Sequence, residues 1–172
     1  MGDLWEKCVA FHGHACGGLA VGFQASLYAQ ELLDCARAAD EEIVCVSEND
    51  ACGVDAIQVV LGCTVGKGNL IFQMQGKNAF CFYRRDTGKS IRLVLRGTPE
   101  KTREERLAWL MHGDYHEMFD VKEAALPVPE KARIFKTYTC ALCKERVAES
   151  HARLQNGEIV CGACFSAYTR GL

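Results

Sequence analysis

Three prolines in 172 residues leave little to interrupt helices and strands, and two of them, Pro127 and Pro129, fall in one short stretch, Leu126-Pro127-Val128-Pro129-Glu130. Proline restricts both itself and the residue before it, so this stretch is expected to be an extended linker. No apolar run approaches the roughly 20 residues that span a bilayer, which excludes a membrane-spanning helix and a membrane partner. The first residues, Met1-Gly2-Asp3-Leu4-Trp5-Glu6, lack the basic then apolar plan of an export signal, and a cytoplasmic location is expected. There is no low-complexity run, and 49% of residues are hydrophobic, a composition that packs a core. Charge of neither sign dominates. The formal net charge of −2 disfavours nucleic acid as a partner, although residues 126–172 carry seven Lys+Arg against four Asp+Glu, leaving 13 against 18 for residues 1–125.

Cysteine, by contrast, is abundant. Eleven cysteines would suggest disulfides in a secreted chain, but the number is odd, no export signal precedes them, and four form two Cys-x-x-Cys pairs. Cys140-Ala141-Leu142-Cys143 and Cys161-Gly162-Ala163-Cys164 stand seventeen residues apart, the spacing of a four-thiolate structural zinc site. Between them Asn156-Gly157 predicts a hairpin with a type I′ turn. A helix begun at Phe165 to Arg170 would complete a treble clef, and a zinc ribbon is the alternative. A module over residues 136–172 buries too little apolar surface to fold alone, so the metal is expected to supply much of its folding free energy.

Phe11-His12-Gly13-His14-Ala15-Cys16-Gly17-Gly18-Leu19-Ala20 places two imidazoles, a thiol and three glycines directly before an apolar helix predicted over about Gly17 to Ala36, with Leu19, Phe23 and Leu27 on one face. Cys16 then lies at the helix amino end, where unpaired N–H groups and the dipole favour a thiolate. A β-rich run, Ile43 to Val46, leads into a polar turn with Asn49, Asp50, Cys52 and Asp55 and then a helix from about Val54 to Leu61. These four residues are a second candidate set, against the plainer reading of a helix cap and a buried thiol. Gly62-Cys63-Thr64-Val65-Gly66-Lys67-Gly68-Asn69 resembles a phosphate loop only superficially, since Gly68 stands where Ser or Thr is required and no helix follows. Runs at Leu70 to Gln73, Ala79 to Tyr83 and Ile91 to Leu95 predict a three-stranded antiparallel meander, with Cys45 and Cys81 as core residues. Thr98-Pro99 and the Thr102-x-x-Glu105 capping box predict a helix to about His112, and Asp114 caps a shorter one carrying His116, Met118, Phe119 and Val121. His112 and His116 are expected to be solvated.

Phe11-His12-Gly13-His14-x-Cys16, then Glu48 to Gln58, then Gly62-Cys63-Thr64-x-Gly66-Lys67-Gly68-Asn69-Leu70, together with the terminal cysteine pairs, resemble the FmdE family of formylmethanofuran dehydrogenase proteins across essentially the whole chain. The resemblance implies an α+β core of helices on an antiparallel sheet over residues 1–125, a linker over 126–135 and an appended treble-clef, zinc-ribbon-like finger. It further implies a homodimer and an association with subunits of the molybdenum or tungsten enzyme that forms a formyl group on methanofuran. No ferredoxin-like cysteine run is present.

Three functions follow. In the first, His14 and Cys52, with Cys16 or His12, hold a second transition metal with an open position, and imidazole plus thiolate ligands suit Zn, Ni or Fe. In the second, Cys16 or Cys52 is a catalytic nucleophile with His12 or His14 as base. In the third, the core senses a metal or small ligand and the finger docks on a protein or nucleic acid.

Overall fold

The structure, a computed structural model, describes residues 2–97 and 102–170. The Thr98-Pro99 helix start therefore lies outside the described residues. The chain forms two compact units, Met1–Ala132 and Arg133–Leu172. The stretch expected to be a linker is divided between them, and its first part is held within the first unit: Tyr83 donates its hydroxyl to the Leu126 carbonyl at 3.2 Å and Arg85 donates to the Pro129 carbonyl at 2.7 Å.

The first unit opens with helices α1 (Gly2–His12) and α2 (Gly17–Leu33), followed by strand β1 (Ile43–Ser47), helix α3 (Gly53–Leu61) and strands β2 (Leu70–Phe72), β3 (Ala79–Arg84) and β4 (Ser90–Leu95). Helices α4 (Arg103–His112) and α5 (Tyr115–Met118) and strand β5 (Phe119–Lys122) complete it. Cys16 caps α2 by accepting from the Leu19 amide, and α2 ends at Asp34, which turns left-handed at φ 49°. Thr102 and Glu105 form the expected capping box on α4.

The sheet has the order β2-β1-β3-β4-β5. This corrects the expected three-stranded meander: β3 and β4 are a hairpin, but β1 lies between β2 and β3 and pairs parallel with β2. All five residues of β1 are buried, as a central strand requires, and residues 73–78 cross it instead of turning tightly. A second correction concerns Phe119 and Val121, expected in a helix and found in β5. Phe119 and Val121 alternate along β5 opposite Leu95 and Leu93 of β4, and pairing with the sheet edge outweighs continuation of α5.

One face of the sheet, with Cys45, Leu70, Phe80, Phe82 and Leu93, packs against α2, α3 and the Leu110 end of α4. The opposite face carries a smaller cluster of Val44, Val46, Cys81 and Tyr83, with Ala124 against it. The phosphate-loop look-alike is a structural knot: the buried Asn69 amide donates to the carbonyls of Ile43 and Asp40, its oxygen accepts from the Thr64 amide, and Lys67 donates to the Asp40 carbonyl. No helix among the described residues is long and apolar enough to cross a membrane.

The second unit contains two hairpins, β6 (Thr137–Thr139) with β7 (Arg146–Ala148) and β8 (Arg153–Gln155) with β9 (Glu158–Val160). Asn156 and Gly157 both have positive φ, 51° and 79°, as the type I′ turn demands. Residues 165–170 form no helix, so the unit is zinc-ribbon-like in its described part.

Candidate metal centres and an adjoining cleft

Two groups of ligand-type side chains converge, each with its donor atoms within 4.8 Å of one another: Cys140, Cys143, Cys161 and Cys164, and His12, Cys16 and Cys52. In the first group, Cys140 and Cys143 sit in the loop joining β6 to β7, and Cys161 and Cys164 in the turn that follows β9. The Cys161 amide donates to the Cys140 sulfur at 3.3 Å, and Cys143 and Cys161 sulfurs lie 3.9 Å apart. Backbone N–H groups aimed at its sulfur, from Cys161 first, pull the Cys140 thiol down to about 6, whereas the neighbouring Cys161 sulfur pushes Cys164 up to about 12. Four thiols packed this closely cannot all ionise without a cation among them, and that is the condition a tetrahedral thiolate metal meets.

The second group draws on three elements. His12 ends α1, Cys16 caps α2 and Cys52 precedes α3. What brings the last two together is a crossing of α2 and α3 at glycine: a Cβ on Gly22 would overlap the backbone of Gly53, and one on Gly53 would stand 3.1 Å from the Gly18 carbonyl oxygen. Only hydrogen at these positions lets the two helix starts approach so closely. Gly18 in turn faces Cys52, whose Cβ lies 3.1 Å from where a Gly18 Cβ would be.

His12 Nδ1 is 2.7 Å from Asp55 Oδ2, and Nε2 is 3.7 Å from Cys16 Sγ. A carboxylate oxygen accepts, so Nδ1 is the donor to Asp55 and Nε2 is the ring nitrogen that faces the Cys16 sulfur. Asp55 is itself held by Gln58, which donates to Oδ1 at 3.2 Å. The Leu19 amide donates to Cys16 Sγ at 3.3 Å. Burial raises the Cys52 thiol, and the adjacent Cys16 sulfur raises it further.

Of the expected core residues, the structure thus unites His12, Cys16 and Cys52. His14 lies outside the group; it is exposed, and its ring stands 4.7 Å from that of His12. Asn49 is structural, with its amide on the Lys77 carbonyl and its oxygen accepting from the Ala51 amide, and Asp50 is exposed. His112 and His116 are exposed, as expected, and His116 also has surface partners, with Nε2 2.9 Å from Glu31 and Nδ1 2.6 Å from Asp114. The partnership of Asp55 with His12 has no local sequence signal, since 43 residues separate them.

Cys16 and Cys52 open onto a cleft of about 890 Å³, also lined by His14, Gly17, Gly18, Val21, Lys77, Asn78, Val94, Leu95, Arg96, Gly97, Arg103 and Arg106. Arg103 and Arg106 belong to α4, which is fixed against α2 by the buried Gln24 donating to the Leu110 carbonyl at 2.6 Å. These cations were not among the residues expected from the sequence. Their signal there is two arginines three residues apart at the start of a helix.

Residues 11–142 match the family model described as FmdE, molybdenum formylmethanofuran dehydrogenase operon. A protein of Archaeoglobus fulgidus described as "Probable S-adenosyl-L-methionine-binding protein" is 28% identical over 198 aligned positions, covering 96% of this chain and 53% of the relative. The chain therefore spans about half the length of that curated relative. The crystal structure of a tungsten formylmethanofuran dehydrogenase FmdE-like protein from Syntrophus aciditrophicus shares the fold, with a TM-score of 0.66 at 23% identity, over 92% of this chain and 88% of that one.

Proposed function

We propose, for a chain that belongs to the FmdE family, that His12, Cys16 and Cys52 hold one transition-metal ion whose remaining position faces the cleft, and that Cys140, Cys143, Cys161 and Cys164 hold a structural zinc. The coarser statement, a metal-binding protein of this family, rests on the two donor groups and the family match together. The observation that carries the finer reading is the convergence of one nitrogen and two sulfur donors from three separate elements, with a carboxylate behind the imidazole. Three protein ligands leave a position for water or a substrate group, and when bound the metal would supply Lewis-acid activation there. One nitrogen and two sulfurs suit Zn, Ni or Fe better than Mg or Ca. The chain's own contributions are to orient the imidazole through Asp55 and to hold the Cys16 sulfur in place through the Leu19 amide.

The family's description, which names a molybdenum formylmethanofuran dehydrogenase operon, supports an accessory place beside such an enzyme, and co-purification of that enzyme with the tagged chain tests it. The chain itself is taken to be a homodimer, which its solution mass tests. S-adenosylmethionine binding is not carried over from the Archaeoglobus protein. The chain spans half of that relative, and a cleft lined by four cationic side chains disfavours a sulfonium.

A second reading is favoured by the same contacts: Cys16, His12 and Asp55 stand in the order of nucleophile, base and orienting carboxylate. It leaves the Cys52 sulfur without a part, which is why the metal reading is preferred. Element-resolved mass spectrometry on the full chain, purified without a metal-affinity step, decides between them. Two equivalents per chain are expected, falling to one in His12→Gln/Cys52→Ser and to one in Cys143→Ser/Cys164→Ser. A metal content unchanged by the first pair of substitutions sinks the core metal and leaves the nucleophile.

A further inference from the structure

The body of the protein is acidic, yet the charged residues lining the cleft at Cys16 and Cys52 are, among the described residues, all cations. Residues 1–125 carry 13 Lys+Arg against 18 Asp+Glu, whereas among the described residues the lining includes Lys77, Arg96, Arg103 and Arg106 and no Asp or Glu. Arg96 is already engaged, with Nε 2.7 Å from Asp120 and Nη1 on the Glu117 carbonyl. Among the described residues none of Lys77, Arg103 and Arg106 is in an ion pair. Glu48, whose charge is felt by Lys77, is held by both Nε and Nη2 of Arg92, at 2.5 and 2.8 Å.

The position of Arg103 is informative. It is the first residue of α4, where the positive end of the helix dipole disfavours a cation. Arg106, three residues on, lies on the same side of the helix and lines the same cleft. Two guanidinium groups set against local preference, with a lysine from the β2–β3 connection, present the donor forks that carboxylates and phosphates fit. The apolar side chains of Val21, Val94 and Leu95 line the same cleft. A volume of about 890 Å³ suits a small molecule and not a single ion.

We propose that this cleft binds a small organic anion, with a carboxylate or phosphate group on Lys77, Arg103 and Arg106 and a carbon skeleton over Val21, Val94 and Leu95. The opposite end of that molecule then lies toward Cys16 and Cys52, a direction that rests on the reading of His12, Cys16 and Cys52 as the functional end of the cleft. The anion site itself is carried by the cleft's charge.

Calorimetric titration of the full chain with butyrate, butyl phosphate and inorganic phosphate, at low and high salt, tests it. One equivalent of butyrate or butyl phosphate is expected to bind, more tightly than inorganic phosphate and more weakly at high salt. Whichever acid group binds tighter identifies the class. Arg103→Gln/Arg106→Gln should weaken binding at least about tenfold, the effect of losing a charge-assisted hydrogen bond, with melting temperature and metal content unchanged because both residues are exposed. Lys77→Gln, on a different element, should weaken it in the same direction. No binding of any probe at millimolar concentration, or binding undiminished in both variants, overturns the inference. Metal content separates the two readings: should His12→Gln/Cys52→Ser keep its full metal content while butyrate or butyl phosphate still binds, the metal assignment fails and the anion site stands.

Discussion

The two units use the same side chain in opposite ways. In the first, Cys8, Cys45 and Cys63 are fully buried among apolar neighbours, and burial pushes their thiols up, to about 11 for Cys8 and about 12 for Cys63. They act there as small hydrophobes. In the second, only Cys140 and Val160 are buried among the described residues, and the Cys140 thiol is pulled down to about 6 by backbone amides. A sulfur's role is set by what surrounds it: apolar packing keeps the proton, and aimed N–H groups release it for a metal. The His12, Cys16 and Cys52 group combines the two, because its donors stand on elements that a large core already holds in place.

The sharpest way to break this comparison is to remove metal. Chelation should unfold the second unit, since metal binding in such small thiolate modules contributes on the order of 10 kcal/mol, and should leave the first unit folded. Limited proteolysis read by mass spectrometry should then show cuts confined to residues 133–172. Cuts spread over the whole chain would mean that the first unit also depends on metal.

Gly22→Ala attacks the other side. Its Cβ would meet the Gly53 backbone, so α2 and α3 must separate, at a cost of about 3 kcal/mol in urea unfolding. Separating the helices also parts Cys16 from Cys52, and the variant should keep the metal of the second unit while losing that of the first.

Asp55→Asn is subtler. The amide leaves the fold intact but no longer fixes the imidazole tautomer, and metal affinity at the core group should fall about 10- to 100-fold. Competition with a chromophoric chelator measures this; an unchanged affinity would show that His12 is oriented by packing alone.

The smallest expected effect is a pH dependence in the first unit. Hydrogen bonds from Glu31 first and Asp114 second raise the His116 imidazole above its ordinary value. A folded value above the unfolded one means that the contribution is complete below the ordinary imidazole range near 6.5 and fades as pH rises through the raised value. His116→Gln should flatten the melting temperature over that window, whereas the second unit, which does not contain this residue, should show no such slope from it.

What the sequence by itself determined is local. The spacing of Cys140, Cys143, Cys161 and Cys164, the Asn156-Gly157 turn, the Thr102 capping box and the apolar face of α2 each need only a few neighbouring residues, so pattern and backbone preference suffice. Only the tertiary structure decided the rest. That β1 inserts between β2 and β3 depends on which strand can be buried on both faces, a property of the whole sheet. Residues 119–122 became a strand because an edge of β4 was there to pair with. His12 found Asp55, and Cys16 found Cys52, because Gly22 and Gly53 let two helices touch; hydrophobic periodicity says which face of a helix is buried but not where another backbone will cross it. The cationic cleft likewise gathers side chains from three separate segments, and a charge count along the chain cannot see a concentration made by folding.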